Sequence, residues 1–207
     1  MQHVYAGYFL YGKKKVCKLF NLGIRIMEER MKNAPVLIIG DSITEGFKEK
    51  ELLPELNILN YGVSGDSTPE LLERISKSWF DKNPRAAFLC IGTNDFARGR
   101  TDGYILGNIR EIIDKIRSFS PRELKLVVIS IFPTRDNAPR PNERIREFNR
   151  QLSILCKESA ISYFDINRNF SDREGKLKSE FTEDGLHLTK AAYRLWADLI
   201  SEYVGKL

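Results

Sequence analysis

From residue 34 onward, short apolar runs alternate with stretches at helical spacing, and this alternation constrains the fold more than any other feature of the sequence. Residues 36–39 (Val-Leu-Ile-Ile) are continuously apolar and end at Gly40, as expected of a strand buried on both faces. Residues 57–61, 86–91, 124–131 and 161–165 read as four further strands. Between them, Ile109, Ile112, Ile113 and Ile116 fall at i, i+3, i+4 and i+7. Thr101 or Asp102 is available as their cap, and Pro121 lies beyond the end. Ile145, Phe148, Leu152 and Leu155 repeat the pattern after Asn142 as cap. Leu188, Ala192, Leu195, Trp196 and Leu199 repeat it around Thr189. Residues 68–79 make a fourth helix, with Pro69 at a first helical position. Such alternation predicts an α/β fold, a mainly parallel sheet with helices on both faces and right-handed crossovers.

At 207 residues, 42% of them apolar, the chain suits one domain with a tail and can bury a proper core. No uncharged apolar run of about 18 residues occurs, so a transmembrane span is not expected. Charge divides the chain. Of 33 Lys/Arg and 28 Asp/Glu, seven and two fall within residues 1–33, leaving 26 of each in 34–207. The basic excess belongs to an N-terminal extension, 1–33, and the domain, 34–207, is balanced. A nucleic-acid partner is therefore not expected.

In the extension, the apolar stretch 4–11 precedes Lys13-Lys14-Lys15, the reverse of a secretory signal. A cytoplasmic location follows as the expectation. Val16, Leu19, Phe20, Ile24 and Met27 recur at roughly helical spacing. Residues 13–31 could make weak contact with an anionic membrane surface. They could equally pack on the domain, or precede a true start at Met27 or Met31. Cys17, Cys90 and Cys156 are odd in number, with no C-x-x-C pair, so neither a disulfide framework nor a zinc site is suggested.

An open parallel sheet places its ligand site beyond the carboxyl ends of the strands. The first strand is followed by Gly40-Asp41-Ser42-Ile43, the second by Gly62-Val63-Ser64-Gly65-Asp66, and the third by Gly92-Thr93-Asn94-Asp95. Asp184-Gly185-Leu186-His187 stands ahead of the last helix. Each segment alone is an ordinary cap or turn. Together they supply a hydroxyl nucleophile, an imidazole base, a carboxylate and neutral donors, the parts of an acyl-transfer site. Only His3 and His187 are present, and His3 lies in the extension, so a histidine base would be His187. A P-loop, a dinucleotide Gly-x-Gly-x-x-Gly and a Gly-x-Ser-x-Gly elbow are all absent.

The ordered set of blocks resembles the GDSL, or SGNH, hydrolases, with Ile43 where Leu is usual. The resemblance implies a flavodoxin-like three-layer α/β/α sandwich with a five-stranded parallel sheet. It implies a serine esterase in which Ser42 is the nucleophile, His187 the base and Asp184 the residue that orients the imidazole. The Ser42 amide, the Gly65 amide and the Asn94 side chain would form the oxyanion hole, with Asp41 and Asp95 supporting their turns. No metal or other cofactor is implied. Acyl transfer to an acceptor other than water would use the same residues, and a non-catalytic carbohydrate-binding module is a more distant alternative.

Residues 98–104 and 133–141 are polar and follow strands three and four. Arg135 or Arg140 could face an anionic or sugar group, or the loop could be a solvated connector. No long hydrophobic acyl tunnel is spelled out. The expected substrates are therefore small esters, with short acyl or O-acetyl groups on carbohydrate preferred over long-chain lipids and a lysophospholipid as a further candidate. Trp79 and Trp196 read as core or rim residues.

Overall fold

Continuously apolar strands are stable only when helices cover both faces of their sheet. The computed structural model, whose described residues are 33–207, has that arrangement. Its strands are β1 (Val36–Gly40), β2 (Ile58–Gly62), β3 (Ala86–Cys90), β4 (Lys125–Ile129) and β5 (Ser162–Phe164). They form one five-stranded sheet in the order β2-β1-β3-β4-β5, every neighbouring pair parallel. Gly40 stands level with Gly62 on one side and Cys90 on the other. The carboxyl ends of the three strands that precede Ser42, Gly65 and Asn94 thus lie in one row. The expectations for residues 1–32, including the membrane contact and the alternative starts, lie outside the described residues.

The helices are α1 (Ser42–Glu45), α2 (Glu49–Leu52), α3 (Thr68–Arg74), α4 (Thr93–Ala97), α5 (Asp102–Phe119), α6 (Asn142–Glu158), α7 (Asn167–Phe170) and α8 (Lys190–Val204). Short 3₁₀ turns occur at Lys77–Phe80 and Ser179–Phe181. Alternate residues of each strand point to opposite faces, which divides the core in two. Leu37, Ile39, Ala87, Leu89 and Val128 pack with Ile105, Ile109, Ile112, Ile113 and Ile116 of α5 and with Ile145, Phe148 and Leu152 of α6. Val36, Ile38, Phe88, Val127 and Ile129 pack with Trp196, Ile200 and Val204 of α8. Trp196 meets the rings of Phe47 and Phe132 edge-on, each 5.2 Å away, so it belongs to the core, as expected.

The caps explain where the helices start. Thr101 accepts a hydrogen bond from Tyr104 N and opens α5, and Thr189 accepts from Ala192 N and opens α8. Two expectations need correction. The stretch 68–79 is not one helix, because α3 ends at Arg74 and Ile75 leaves the helical region with ψ 123°. The Ser76 hydroxyl then accepts from Ser78 N and starts the separate turn Lys77–Phe80. Asn142 is not a cap but the first residue of α6, after Pro141. Its side chain instead clasps Thr134, accepting from the backbone N–H at 2.9 Å and donating to the carbonyl at 2.7 Å.

Candidate active site

The loop after β1 turns sharply into α1 because Asp41 is extended and caps it, its Oδ1 accepting from Ile43 N at 3.0 Å. Ser42 is therefore the first helical residue, raised at the edge of the sheet. Its Oγ lies 3.1 Å from His187 Nε2, across 145 positions of sequence. His187 Nδ1 lies 2.6 Å from Asp184 Oδ2. Asp184 Oδ1 accepts from the amides of Leu186 at 2.9 Å and His187 at 2.7 Å. Partial burial opposes ionisation of Asp184, but the hydrogen bonds from the His187 ring and from these amides win. They hold the carboxyl well below the usual carboxylate range. The imidazole and carboxylate side chains are about half exposed, at 51% and 53%, so a substrate can reach them from solvent.

Gly185 is what lets this loop lie where it does. Its φ is +82°, and a Cβ would run into the carbonyl of Arg135. The Arg135 N–H donates to Gly185 O at 2.8 Å, pinning the His187 loop to the segment after β4.

The loops after β2 and β3 meet each other. Gly65 has φ +84°, a left-handed conformation that suits glycine, and no atom occupies the space a Cβ would take. Asn94 Nδ2 donates to Asp66 O at 2.8 Å. Asp95 is fully buried and accepts from Thr68 N at 2.9 Å, Thr68 Oγ1 at 2.8 Å and Arg100 Nη1 at 2.8 Å. It thereby ties the β3 loop to the start of α3. Asp41 is buried beside Ser42, and that burial pushes its carboxyl up to about 7 despite the Ile43 amide and the positive charge of Arg140.

The two arginines singled out in the sequence part company. Arg140 Nη2 donates to Asn94 Oδ1 at 3.1 Å and Nε to Thr93 O at 3.0 Å, so it joins the cluster. The Arg135 guanidinium turns away to pair with Asp172 and to donate to Leu177 O at 2.6 Å. There it lines a cleft of about 420 Å³ with Arg173, Lys178 and Glu180, not with Ser42 or His187.

Sequence reasoning missed other arginines. Arg74 donates to Gly40 O at 3.0 Å and Tyr61 O at 2.8 Å and pairs with Asp66, holding the ends of β1 and β2 together. Arg98 donates to Gly65 O at 2.9 Å and to Glu70 at 2.6 Å. Only Ser67 and Glu70 carry a readable signal, since Ser-x-x-Glu is a capping box and forms one at α3. Among the described residues no group of three or more His, Cys, Asp and Glu could hold a metal ion. Nor is any described helix long and apolar enough to cross a membrane.

The arrangement can pass a proton from a serine hydroxyl to an imidazole braced by a carboxylate. A sequence model described as the GDSL-like lipase/acylhydrolase family matches residues 38–195. The chain is similar to platelet-activating factor acetylhydrolase IB subunit alpha1 of Rattus norvegicus, 27% identical over 178 residues that cover 81% of this chain and 74% of that protein. It resembles the alpha2 subunit from Gallus gallus at 28% over 172 residues, 78% of this chain and 72% of that one. Among solved structures, a Streptococcus pneumonia protein described as a platelet activating factor superposes with a TM-score of 0.75 at 27% identity, covering 93% of this chain and 99% of that chain. A GDSL-like lipase of Bacteroides thetaiotaomicron shares the fold, with a TM-score of 0.74 at 22% identity over 86% and 90% of the two chains. The family match spans both ends of the sheet and every loop of the cluster, and the chain belongs to the GDSL-like lipase/acylhydrolase family as a carboxylic ester hydrolase.

Proposed function

We propose that this hydrolase removes short acyl groups, O-acetyl above all, through an acyl-enzyme formed on Ser42. The observation that carries the reading is the unbroken run of contacts from Ser42 Oγ to His187 Nε2 (3.1 Å) and from His187 Nδ1 to Asp184 Oδ2 (2.6 Å). In the first half-reaction, Ser42 Oγ attacks the ester carbonyl while His187 Nε2 takes the hydroxyl proton. Asp184 holds the ring in the tautomer that leaves Nε2 free to accept. The tetrahedral oxyanion is met by the amides of Ser42 and Gly65 and by Asn94 Nδ2. Collapse breaks the bond to the alcohol, which leaves with the proton returned by His187. Water, deprotonated by the same ring, then releases the carboxylic acid and restores Ser42.

Acetyl preference draws support from the acetylhydrolase names of the relatives and from the polar segments 98–104 and 133–141 beside the site. The test is hydrolysis of p-nitrophenyl esters of increasing chain length by the wild type and by Ser42→Ala, both verified as folded. Acetate is expected to be cleaved faster than octanoate, and Ser42→Ala is expected to lower kcat by at least about 1000-fold. Equal rates in the two proteins would overturn the nucleophile, and an octanoate preference would overturn the acyl assignment. Release of free acetate identifies hydrolysis, whereas acetylation of an added alcohol identifies transfer.

A further inference from the structure

A primary amide has a donor end and an acceptor end, and only the donor end can hold an oxyanion. Asn94 must therefore be kept from turning over. Its Nδ2 gives one proton to Asp66 O at 2.8 Å, and its second proton remains for a substrate oxygen. Its Oδ1 accepts from Arg140 Nη2 at 3.1 Å. Turned over, the amide would set its NH₂ against the guanidinium and its oxygen against the Asp66 carbonyl. Both pairings are repulsive, so these two partners dictate the orientation.

Arg140 is itself firmly mounted. Nε donates to Thr93 O at 3.0 Å and Nη1 to Asn137 Oδ1 at 3.3 Å. Its backbone N–H donates to Asn137 O at 2.9 Å, and its carbonyl accepts from Thr134 Oγ1 at 2.7 Å. Thr134 is buried and is gripped on both sides of its peptide by Asn142. The planar fork of the guanidinium spreads its donors over three nitrogens in fixed directions and reaches three separate acceptors, whereas an ammonium is a point charge on a flexible stem. A cation on the amide oxygen also draws electron density from the amide and makes its remaining N–H a stronger donor.

We infer that Arg140 is a positioning residue for the oxyanion, fixing and polarising the Asn94 amide rather than gripping an anionic or sugar group of the substrate. This rests on the proposed role of Asn94 as an oxyanion donor.

A double-mutant cycle on p-nitrophenyl acetate tests it, using wild type, Asn94→Ala, Arg140→Gln and the double variant, with kcat and KM read separately. Asn94→Ala is expected to lower kcat about 100-fold or more. Arg140→Gln should lower kcat about 10- to 100-fold with KM changed less than about threefold, because the donor acts in the transition state. In the Asn94→Ala background the same substitution should lower kcat less than about threefold. Should Arg140→Gln not fold, the cycle is read with Arg140→Lys, which keeps the cation and loses the fork. Equal kcat losses in both backgrounds, or a loss confined to KM, would overturn the role of Arg140 and leave Asn94 standing. An unchanged kcat in Asn94→Ala would instead overturn the oxyanion reading, and the role of Arg140 with it.

Discussion

The Tyr193 hydroxyl donates to the carbonyl oxygen of Ile43 at 2.8 Å, joining the helix that follows His187 to the short helix that begins at Ser42. Gly46 lies against the same phenol, and a Cβ there would collide with it. Burial pushes the Tyr193 phenol well above its ordinary value, so it stays a protonated donor. The contact bears on the spacing of the two elements next to Ser42 and His187. Tyr193→Phe is expected to cost about 1 kcal/mol of stability and to lower kcat roughly three- to tenfold by loosening that spacing. Thermal unfolding and steady-state kinetics check both. An unchanged kcat would show that the sheet alone holds Ser42 and His187 together.

Asp41 gives the protein a distinctive pH response. Its carboxyl is raised from 3.8 to about 7 by burial. Between about pH 4 and pH 7 the folded state keeps a proton that the unfolded state has lost, so stability falls as pH rises through that window and levels off above it. Roughly three units correspond to at most about 4 kcal/mol. Asp41→Asn keeps an oxygen for the Ile43 amide and has nothing to titrate. The stability of the variant relative to wild type should therefore grow from pH 4 to pH 7 by up to that amount, as read from urea unfolding at several pH values. A constant difference would mean that the buried carboxyl ionises normally.

Two glycines separate shape from chemistry. A Cβ on Gly62 would press on the backbone of Thr44 and Glu45, atoms that cannot swing aside. Gly62→Ala should cost about 1–3 kcal/mol and disturb Ser42 with it. At Gly65 the space is open and the strain is only that of φ +84°. Gly65→Ala should cost about 1–2 kcal/mol, while kcat falls more than tenfold if its amide meets the oxyanion. Parallel denaturation and kinetics distinguish the two, and an unaltered kcat in Gly65→Ala would remove that donor from the site.

Asp184→Asn is expected to leave stability within about 1 kcal/mol, since the side chain is half exposed. It should lower kcat on the order of 1000-fold or more by letting the imidazole take the unproductive tautomer. A fall of less than tenfold would mean that the backbone alone orients His187.

How far the sequence could be read follows from how each feature is encoded. The inner strands β1, β3 and β4 were legible because a doubly covered strand must be apolar over most of its length, as in residues 36–39. The edge strands β2 and β5 carry Asn60 and Ser162 and signal more weakly. The caps Thr101 and Thr189 were legible because capping is local. The break after Arg74 was not, since Ser76 competes for the backbone through one hydroxyl whose choice depends on surrounding packing. Asn142 had the right composition for a cap and a different task, because Thr134 comes near it only in the folded chain. The blocks holding Ser42, Gly65, Asn94, Asp184 and His187 were visible as an ordered set. The bracing contacts of the arginines were not, and nothing local marks Arg140 as a partner of Asn94 rather than of an anionic or sugar group. Arg74 reaches a carbonyl 34 positions away and Arg140 an amide 46 positions away, and long flexible side chains leave no periodic trace of their destination.

The row of strand ends also dictates an order of arrival. A ribosome delivers Ser42, Gly65 and Asn94 with the first three strands, but Asp184 and His187 only after all five. A nascent chain therefore passes through most of its synthesis with Ser42 present and His187 still to come. A protease that cut after residue 181 would leave every strand in the larger fragment and strip away Asp184 and His187. The same cut would remove α8, whose Trp196, Ile200 and Val204 cover one face of the sheet, so the segment that carries His187 also completes the core.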